Sequence, residues 1–177
     1  MVFLEFDVTR NNKVADIPKI TKEWSLTVDI KPTGKTPGYT NLVHLTSTKK
    51  DCCGFGDRIP AIWFISKTSR LHICSGINRG NECYNSDNLP MNKYTTVLIE
   101  QKKEGDKYTL TILIDGKEFK KVDFKNDPQE YGPSELFASD NFYNPGKANI
   151  KNLKFVNLGK SSLHILFKNL MVSVLRC

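Results

Sequence analysis

The stretch Glu23-Trp24-Ser25-Leu26-Thr27-Val28-Asp29-Ile30-Lys31-Pro32-Thr33-Gly34 decides the fold class. In an extended chain Trp24, Leu26, Val28 and Ile30 fall on one face. Ser25, Thr27, Asp29 and Lys31 fall on the other. A period of two with one apolar face is an antiparallel strand, half in a core and half in water. Pro32-Thr33-Gly34 and then Pro37-Gly38 break it.

The pattern recurs on both sides. Val2 to Val8 precedes it; Tyr39 to Thr46, Pro60 to Ile65 and Arg70 to Ser75 follow. Pro60 to Ile65 is apolar throughout, as for a strand covered on both faces. Tyr94 to Gln101 and Lys107 to Ile114 flank a hairpin loop, Lys102-Lys103-Glu104-Gly105-Asp106. Asp115-Gly116 then joins Ile114 to a further arm, Lys117 to Phe124. Asp-Gly between alternating runs is a strong hairpin signal, because both central residues need positive φ. Ser134 to Ser139 and Ile150 to Asn157 complete the set. About ten short strands with turn signals and no long helix imply an all-β sandwich or barrel.

A chain of 177 residues is one domain's length and can bury a core without metal. Hydrophobic residues at 39% and charged residues at 25% exclude wholesale disorder. The net charge of +7 favours anionic partners, a sulfated or acidic ligand among them. Yet the basic pairs Lys49-Lys50, Lys102-Lys103 and Lys120-Lys121 lie far apart and form no long run. They read first as solvated faces and edge protection, and no nucleic-acid partner is expected. Residues 159–177 are densely apolar without a clean period, so the sandwich is expected over residues 1–158 and the tail as an extension. Lys168 and Arg176 interrupt that tail, and no membrane span is expected. The start, Met1-Val2-Phe3-Leu4-Glu5-Phe6-Asp7, does not read as a signal peptide. A secreted protein would have lost its leader, or this chain would be a piece of a longer one.

Cys52, Cys53, Cys74, Cys83 and Cys177 show no zinc spacing with His44, His72 or His164. Cys74 and Cys83 flank Ser75-Gly76-Ile77-Asn78-Arg79-Gly80-Asn81, and a bridge between them would close a tight loop at a hairpin end. Adjacent Cys52 and Cys53 bond each other only with strain, so each needs another partner or stays free. An odd total leaves a thiol over, with Cys177 the first candidate. This usage favours an oxidising, extracellular compartment.

Three pieces now carry a family resemblance. Trp24 to Gly34 resembles an early strand of laminin G-like domains. Tyr108-Thr109-Leu110-Thr111-Ile112-Leu113-Ile114-Asp115-Gly116-Lys117 resembles their late hairpin, and Asn149-Ile150-Lys151-Asn152-Leu153-Lys154-Phe155 their closing strand. In this order they resemble the concanavalin A-like lectin/glucanase superfamily, with its laminin G-like and pentraxin-like modules. Gly56 to Phe64, with Leu71-His72-Ile73-Cys74, is similar to its secreted or cell-surface members. The resemblance implies a jelly roll of two antiparallel sheets, and a glycan or an extracellular protein as partner, often with calcium.

Fold does not settle function. The superfamily's hydrolases place two carboxylates on one strand face, about 5 to 5.5 Å apart for retention. Glu5-Phe6-Asp7-Val8-Thr9-Arg10 starts that motif and lacks its second glutamate. A Cys52 or Cys53 dyad with His44 or His72 has no local signature, and Gly54-Phe55-Gly56 lacks the helix of a phosphate loop. No catalysis is expected. Calcium would need loop oxygens, for which Asp57, Asp140 and Asn141 are candidates; ordinary turn chemistry also accounts for them.

For a sugar, ring faces meet CH groups and planar polar groups meet hydroxyls. His72, Asn78, Arg79, Asn81 and Tyr84 form the candidate ligand-binding set, beside Trp63. Trp24 and Trp63 read as core residues, and His44 and His72 as satisfied strand histidines. A loop pinned by Cys74–Cys83 would lower the ordering cost of binding. The expectation is a non-catalytic extracellular recognition module for carbohydrate or a protein surface. A structural or adhesive domain of a larger secreted protein is the alternative, and a glycoside hydrolase on the same fold ranks after it. Peptide mapping without reductant should recover Cys74 linked to Cys83; free thiols at both would remove the case for an oxidising compartment.

Overall fold

The computed structural model describes residues 5–52 and 54–158. Thirteen strands follow in chain order: β1 (Phe6–Asp7), β2 (Lys13–Ile17), β3 (Trp24–Pro32), β4 (Thr40–Thr46), β5 (Ala61–Phe64), β6 (Arg70–Ile77), β7 (Gly80–Asn88), β8 (Thr95–Glu104), β9 (Lys107–Ile114), β10 (Lys117–Asp123), β11 (Ser134–Phe137), β12 (Asn144–Pro145) and β13 (Ala148–Asn157). The first sheet runs β1-β13-β3-β8-β9-β10. The second runs β2-β11-β4-β5-β6-β7, with β12 joined to β4 as a short parallel pair. All other pairings are antiparallel, and the sheets stack as a jelly-roll sandwich. No helix among the described residues is long and apolar enough to cross a membrane.

The alternation read in β3 sets the core. Trp24, Leu26, Val28 and Ile30 are fully buried. Val97 and Ile99 of β8, Leu110 and Ile112 of β9, and Ile150 and Phe155 of β13 share that inner face. Trp24 stacks on Phe155 with ring centroids 6.0 Å apart. Leu42, Leu45, Ile62, Phe64, Leu71 and Ile73 close the core from the second sheet.

Three turns differ in detail from expectation or match it. Asp115 and Gly116 take φ of 49° and 76°, and Ile114 pairs with Lys117, a two-residue hairpin turn as expected. The loop expected from Lys102 to Asp106 is shorter. Lys102, Lys103 and Glu104 pair with Thr109, Tyr108 and Lys107, so β8 and β9 turn only at Gly105-Asp106. The loop expected between Cys74 and Tyr84 is a hairpin. β6 continues to Ile77, Asn78 and Arg79 turn with φ of 52° and 66°, and β7 starts at Gly80. The disulfide joins Cys74 and Cys83 as cross-strand neighbours within the ladder. Cys52 is also disulfide-bonded, while Cys53 and Cys177 lie outside the described residues. The apolar extension from 159 to 177 lies outside them as well.

The centre of the second sheet is buried on both faces: every residue of β4 and β5 is buried. One face meets the core. Loop residues 47–52 and 54–58, and the segment from 138 to 146, cover part of the other. Buried polar side chains tie them down. Asn41 donates from Nδ2 to the carbonyls of Val43 and Ile62, both at 3.3 Å, and its Oδ1 accepts from the Asp140 N–H at 2.9 Å. Gly146 returns its N–H to the Asn41 carbonyl. There it packs so closely that a Cβ would stand 2.6 Å from Leu42 Cδ2.

His44 fastens both loops. Its Nδ1 lies 2.7 Å from Asp140 Oδ2 and its Nε2 lies 2.6 Å from the Asp57 carbonyl oxygen. A carbonyl only accepts, so Nε2 carries a hydrogen. The Nδ1–Oδ2 contact holds a second proton, which leaves ring and carboxyl together net neutral. Asp140 Oδ1 takes the N–H groups of Phe142 and Tyr143, each at 3.0 Å. Asp57 takes the Gly54 N–H at 2.6 Å and the Thr48 hydroxyl. Replacing His44 with Ala strands a buried carboxylate, which costs about 3 to 5 kcal/mol. Urea denaturation should show that loss for His44→Ala, and a smaller one for His44→Ala/Asp140→Asn. Equal losses would mean that His44 and Asp140 do not act as a pair.

Candidate functional site

Strand parity builds a second cluster on the outer face of the second sheet. On β5, Ile62 and Phe64 enter the core, so Ala61 and Trp63 face out. Trp63 pairs with His72 on β6, and His72 with Asn85 on β7. Cys74 and Cys83 share that face. Ala61, Trp63, Cys74 and Tyr143 pack together, separate from the main core.

A row of aromatic rings crosses this face. Tyr39 meets His72 edge-on at 5.2 Å between centroids, and His72 meets Trp63 at 6.0 Å. Trp63 contacts Tyr143 at 5.7 Å and His44 at 6.1 Å, and His44 contacts Phe142 at 6.3 Å. The middle is buried, with Trp63 at 1% exposure. The ends open to solvent, with Tyr39 at 43% and Phe142 at 44%. The two exposed rings are thus joined through the fully buried Trp63 and His44.

Arg58 organises the polar side of the row. Its guanidinium lies over the Trp63 ring, 4.5 Å from the centroid, and is itself buried. Nε donates to the Asp51 carbonyl at 3.0 Å, while Nη2 sits 3.5 Å from Asp51 Oδ1, an ion pair without hydrogen-bond geometry. Tyr143 donates its hydroxyl to Asp51 Oδ2 at 3.2 Å. Burial, and then the Asp51 charge, push the Tyr143 phenol above its ordinary value. Trp63 Nε1 and Asn81 Oδ1 are buried with no hydrogen-bond partner among the described residues.

The ligand-binding residues singled out in the sequence divide. His72 lies in the ring row, with Nδ1 2.7 Å from Asn85 Oδ1. Asn81 is on the same face and donates to the Gly54 carbonyl at 3.0 Å. Asn78 and Arg79 form the hairpin tip, where Asn78 Oδ1 accepts the Lys125 N–H at 2.7 Å. Tyr84 follows Cys83 on a strand and so faces the other way. It packs on the main core, lies under Lys120 and donates to Glu82 at 2.5 Å. Burial pushes its phenol up first, and the Glu82 hydrogen bond adds to that.

The calcium candidates also divide. Asp57 and Asp140 are buried, and their carboxylate oxygens accept the loop-fastening bonds described above. Asn141 is exposed, and its carbonyl accepts from Arg10 Nη2 at 2.8 Å. Glu5 and Asp7 are exposed beside the first sheet, where Glu5 meets Lys31 and Asp7 meets Asn149. Tyr39, Arg58, Phe142 and Tyr143 were not among the site residues the sequence singled out. Only the His72–Trp63 pairing, once known, signals the row, because its ends come from loops.

No protein-family model matches the chain, and no curated protein matches it. Solved structures do match. A heptameric SAP-like pentraxin from Limulus polyphemus is 9% identical, with a TM-score of 0.54 over 81% of this chain and 67% of the pentraxin. The ligand-binding domain of botulinum neurotoxin serotype D, in complex with N-acetylneuraminic acid, is 12% identical. It gives a TM-score of 0.57 over 86% of this chain and 38% of that one. A Trypanosoma rangeli sialidase mutant is 8% identical, with a TM-score of 0.53 over 76% of this chain and 20% of the sialidase. The chain thus spans well under half of the toxin and sialidase chains. At such identities the likeness is one of fold, and the fold is the concanavalin A-like jelly roll that the sequence resembles.

Proposed function

We propose that this domain is a non-catalytic extracellular recognition module that binds carbohydrate on the outer face of its second sheet. The ring row from Tyr39 to Phe142 carries the proposal: its buried middle holds its exposed ends in place. Sugar CH groups stack on ring faces, and neighbouring amides and guanidinium groups take the hydroxyls. Asn81, Asn85 and the Arg79 tip flank the row on its β7 side. A face built on strands and stapled by Cys74–Cys83 loses little entropy when a ligand binds.

The net charge of +7 supports acidic sugars as ligands, and one fold neighbour is a complex with N-acetylneuraminic acid. The non-catalytic reading rests on the carboxylates. Glu5 and Asp7 are exposed, each with its own partner, and belong to the first sheet's side of the molecule. Asp57 and Asp140 serve the loops.

A glycan array with neutral, sialylated and sulfated members, run with and without calcium, tests the reading. A restricted set of glycans should bind, acidic ones included. Tyr39→Ala and Phe142→Ala should each weaken that binding about tenfold, equivalent to about 1.4 kcal/mol. Lys121→Ala, on the outer face of the first sheet, should leave it unchanged. No binding across all three glycan classes, or binding indifferent to both ring substitutions, would sink the proposal.

A further inference from the structure

The surroundings of the Cys74–Cys83 bond are unequal. Cys74 is fully buried and Cys83 is exposed. Arg58 Nη1 approaches Cys74 Sγ at 3.7 Å, and His72 Nε2 approaches it at 3.3 Å. His72 is held in one orientation. Its Nδ1 lies 2.7 Å from Asn85 Oδ1, and an amide oxygen only accepts, so Nδ1 carries the hydrogen. In the neutral ring Nε2 is then the nitrogen without a hydrogen, and it is the one that faces Cys74 Sγ. This is how proteins prepare a histidine for a metal: the second nitrogen donates to an oxygen, which fixes tautomer and ring plane.

The donor atoms of His72, Cys74 and Cys83 all lie within 4.8 Å of one another. Around tetrahedral zinc, with Zn–S of about 2.3 Å and Zn–N of about 2.0 Å, sulfur and nitrogen ligands stand roughly 3.5 to 3.8 Å apart. Strand parity makes the set. His72 and Cys74 are two apart on β6, and Cys83 is the cross-strand neighbour of Cys74. Backbone pairing runs on both sides of the bond, from Arg70–Asn88 to Ile77–Gly80, and would hold the two cysteines opposite each other after reduction.

We propose that the Cys74–Cys83 disulfide is a masked metal site: reduction by an external dithiol frees a His72–Cys74–Cys83 donor set for Zn2+. A thiolate of the dithiol attacks the exposed Cys83 Sγ. The S–S electron pair leaves on Cys74, where Arg58 stabilises the thiolate, and a mixed disulfide forms at Cys83. The second thiol of the reductant, as thiolate, attacks its own sulfur in that mixed disulfide and releases Cys83. The dithiol is oxidised by two electrons and the protein disulfide is reduced by two; the two protons pass from dithiol to cysteines. Zn2+ then displaces both thiol protons. Two thiolates cancel the ion's charge, so the nearby Arg58 cation does not oppose it. A fourth position stays open on the exposed side, as in a three-ligand zinc site. None of this requires a glycan on the ring row.

Cobalt(II) reports the site by its thiolate-to-metal charge-transfer absorption. A full-length chain with Cys52→Ser, Cys53→Ser and Cys177→Ser, reduced and freed of dithiol under inert gas, should bind one Co2+ with that band. The oxidised chain should show none. His72→Ala should weaken binding at least tenfold, and Asn85→Leu about 10- to 100-fold. No band after reduction, or a band unchanged by His72→Ala, overturns the proposal. If the triple variant does not fold, the unaltered chain serves: brief exposure to glutathione, acid quenching and peptide mapping should place glutathione on Cys83. Glutathione on Cys74, or on neither, overturns it.

Discussion

His44 holds two loops against the outer face of the second sheet. Both ring nitrogens meet oxygens, one from Asp140 and one from the Asp57 backbone. A buried imidazole with both nitrogens satisfied is stable in an apolar layer, whereas loss of either partner leaves a polar atom dry. Asn41 adds a second tether to the 138–146 loop. Phe142 and Tyr143 reach the ring row because Asp140 turns the chain with its side chain just before them. Arg58 reaches Trp63 because the carbonyl next to it, on Asp57, is anchored by His44. A buried polar network thus positions surface chemistry, and the hydrophobic core supplies the stability that lets it stay buried.

The same period of two explains what the sequence revealed. Apolar residues alternate with polar ones in β3, β8 and β9, and those strands were readable with their faces. The Asp115-Gly116 turn was readable because its chemistry allows few other conformations. β7 was hidden. Gly80-Asn81-Glu82-Cys83-Tyr84-Asn85-Ser86-Asp87-Asn88 is an edge strand with little burial, so hydrophobic alternation has nothing to act on. β2 and β12 are short and lie among polar residues.

The site was legible in part. The disulfide and its neighbourhood could be inferred, but the loop reading put His72, Asn81 and Tyr84 on one surface. A strand cannot do that for Cys83 and Tyr84, which are adjacent in the chain. Trp63 is as buried as expected, yet it belongs to the outer cluster and not to the main core. Tyr39, Phe142 and Tyr143 join the row through tertiary contacts alone, and local pattern does not carry that information. Asp57 and Asp140 look like calcium ligands in sequence because the same oxygens that suit calcium also suit N–H groups.

Fold and function separate cleanly in this molecule. The jelly roll is shared with a pentraxin, a toxin domain and a sialidase at 8% to 12% identity, so the ligand must be argued from side chains. On this molecule the ligand is proposed to meet the Tyr39–Phe142 row. Amide chemical-shift mapping during titration with a sialylated or sulfated oligosaccharide tests it directly. Shifts should cluster at Tyr39, His72, Asn81, Asn85 and residues 142–143, with β8, β9 and β10 silent. Shifts confined to the first sheet would contradict it.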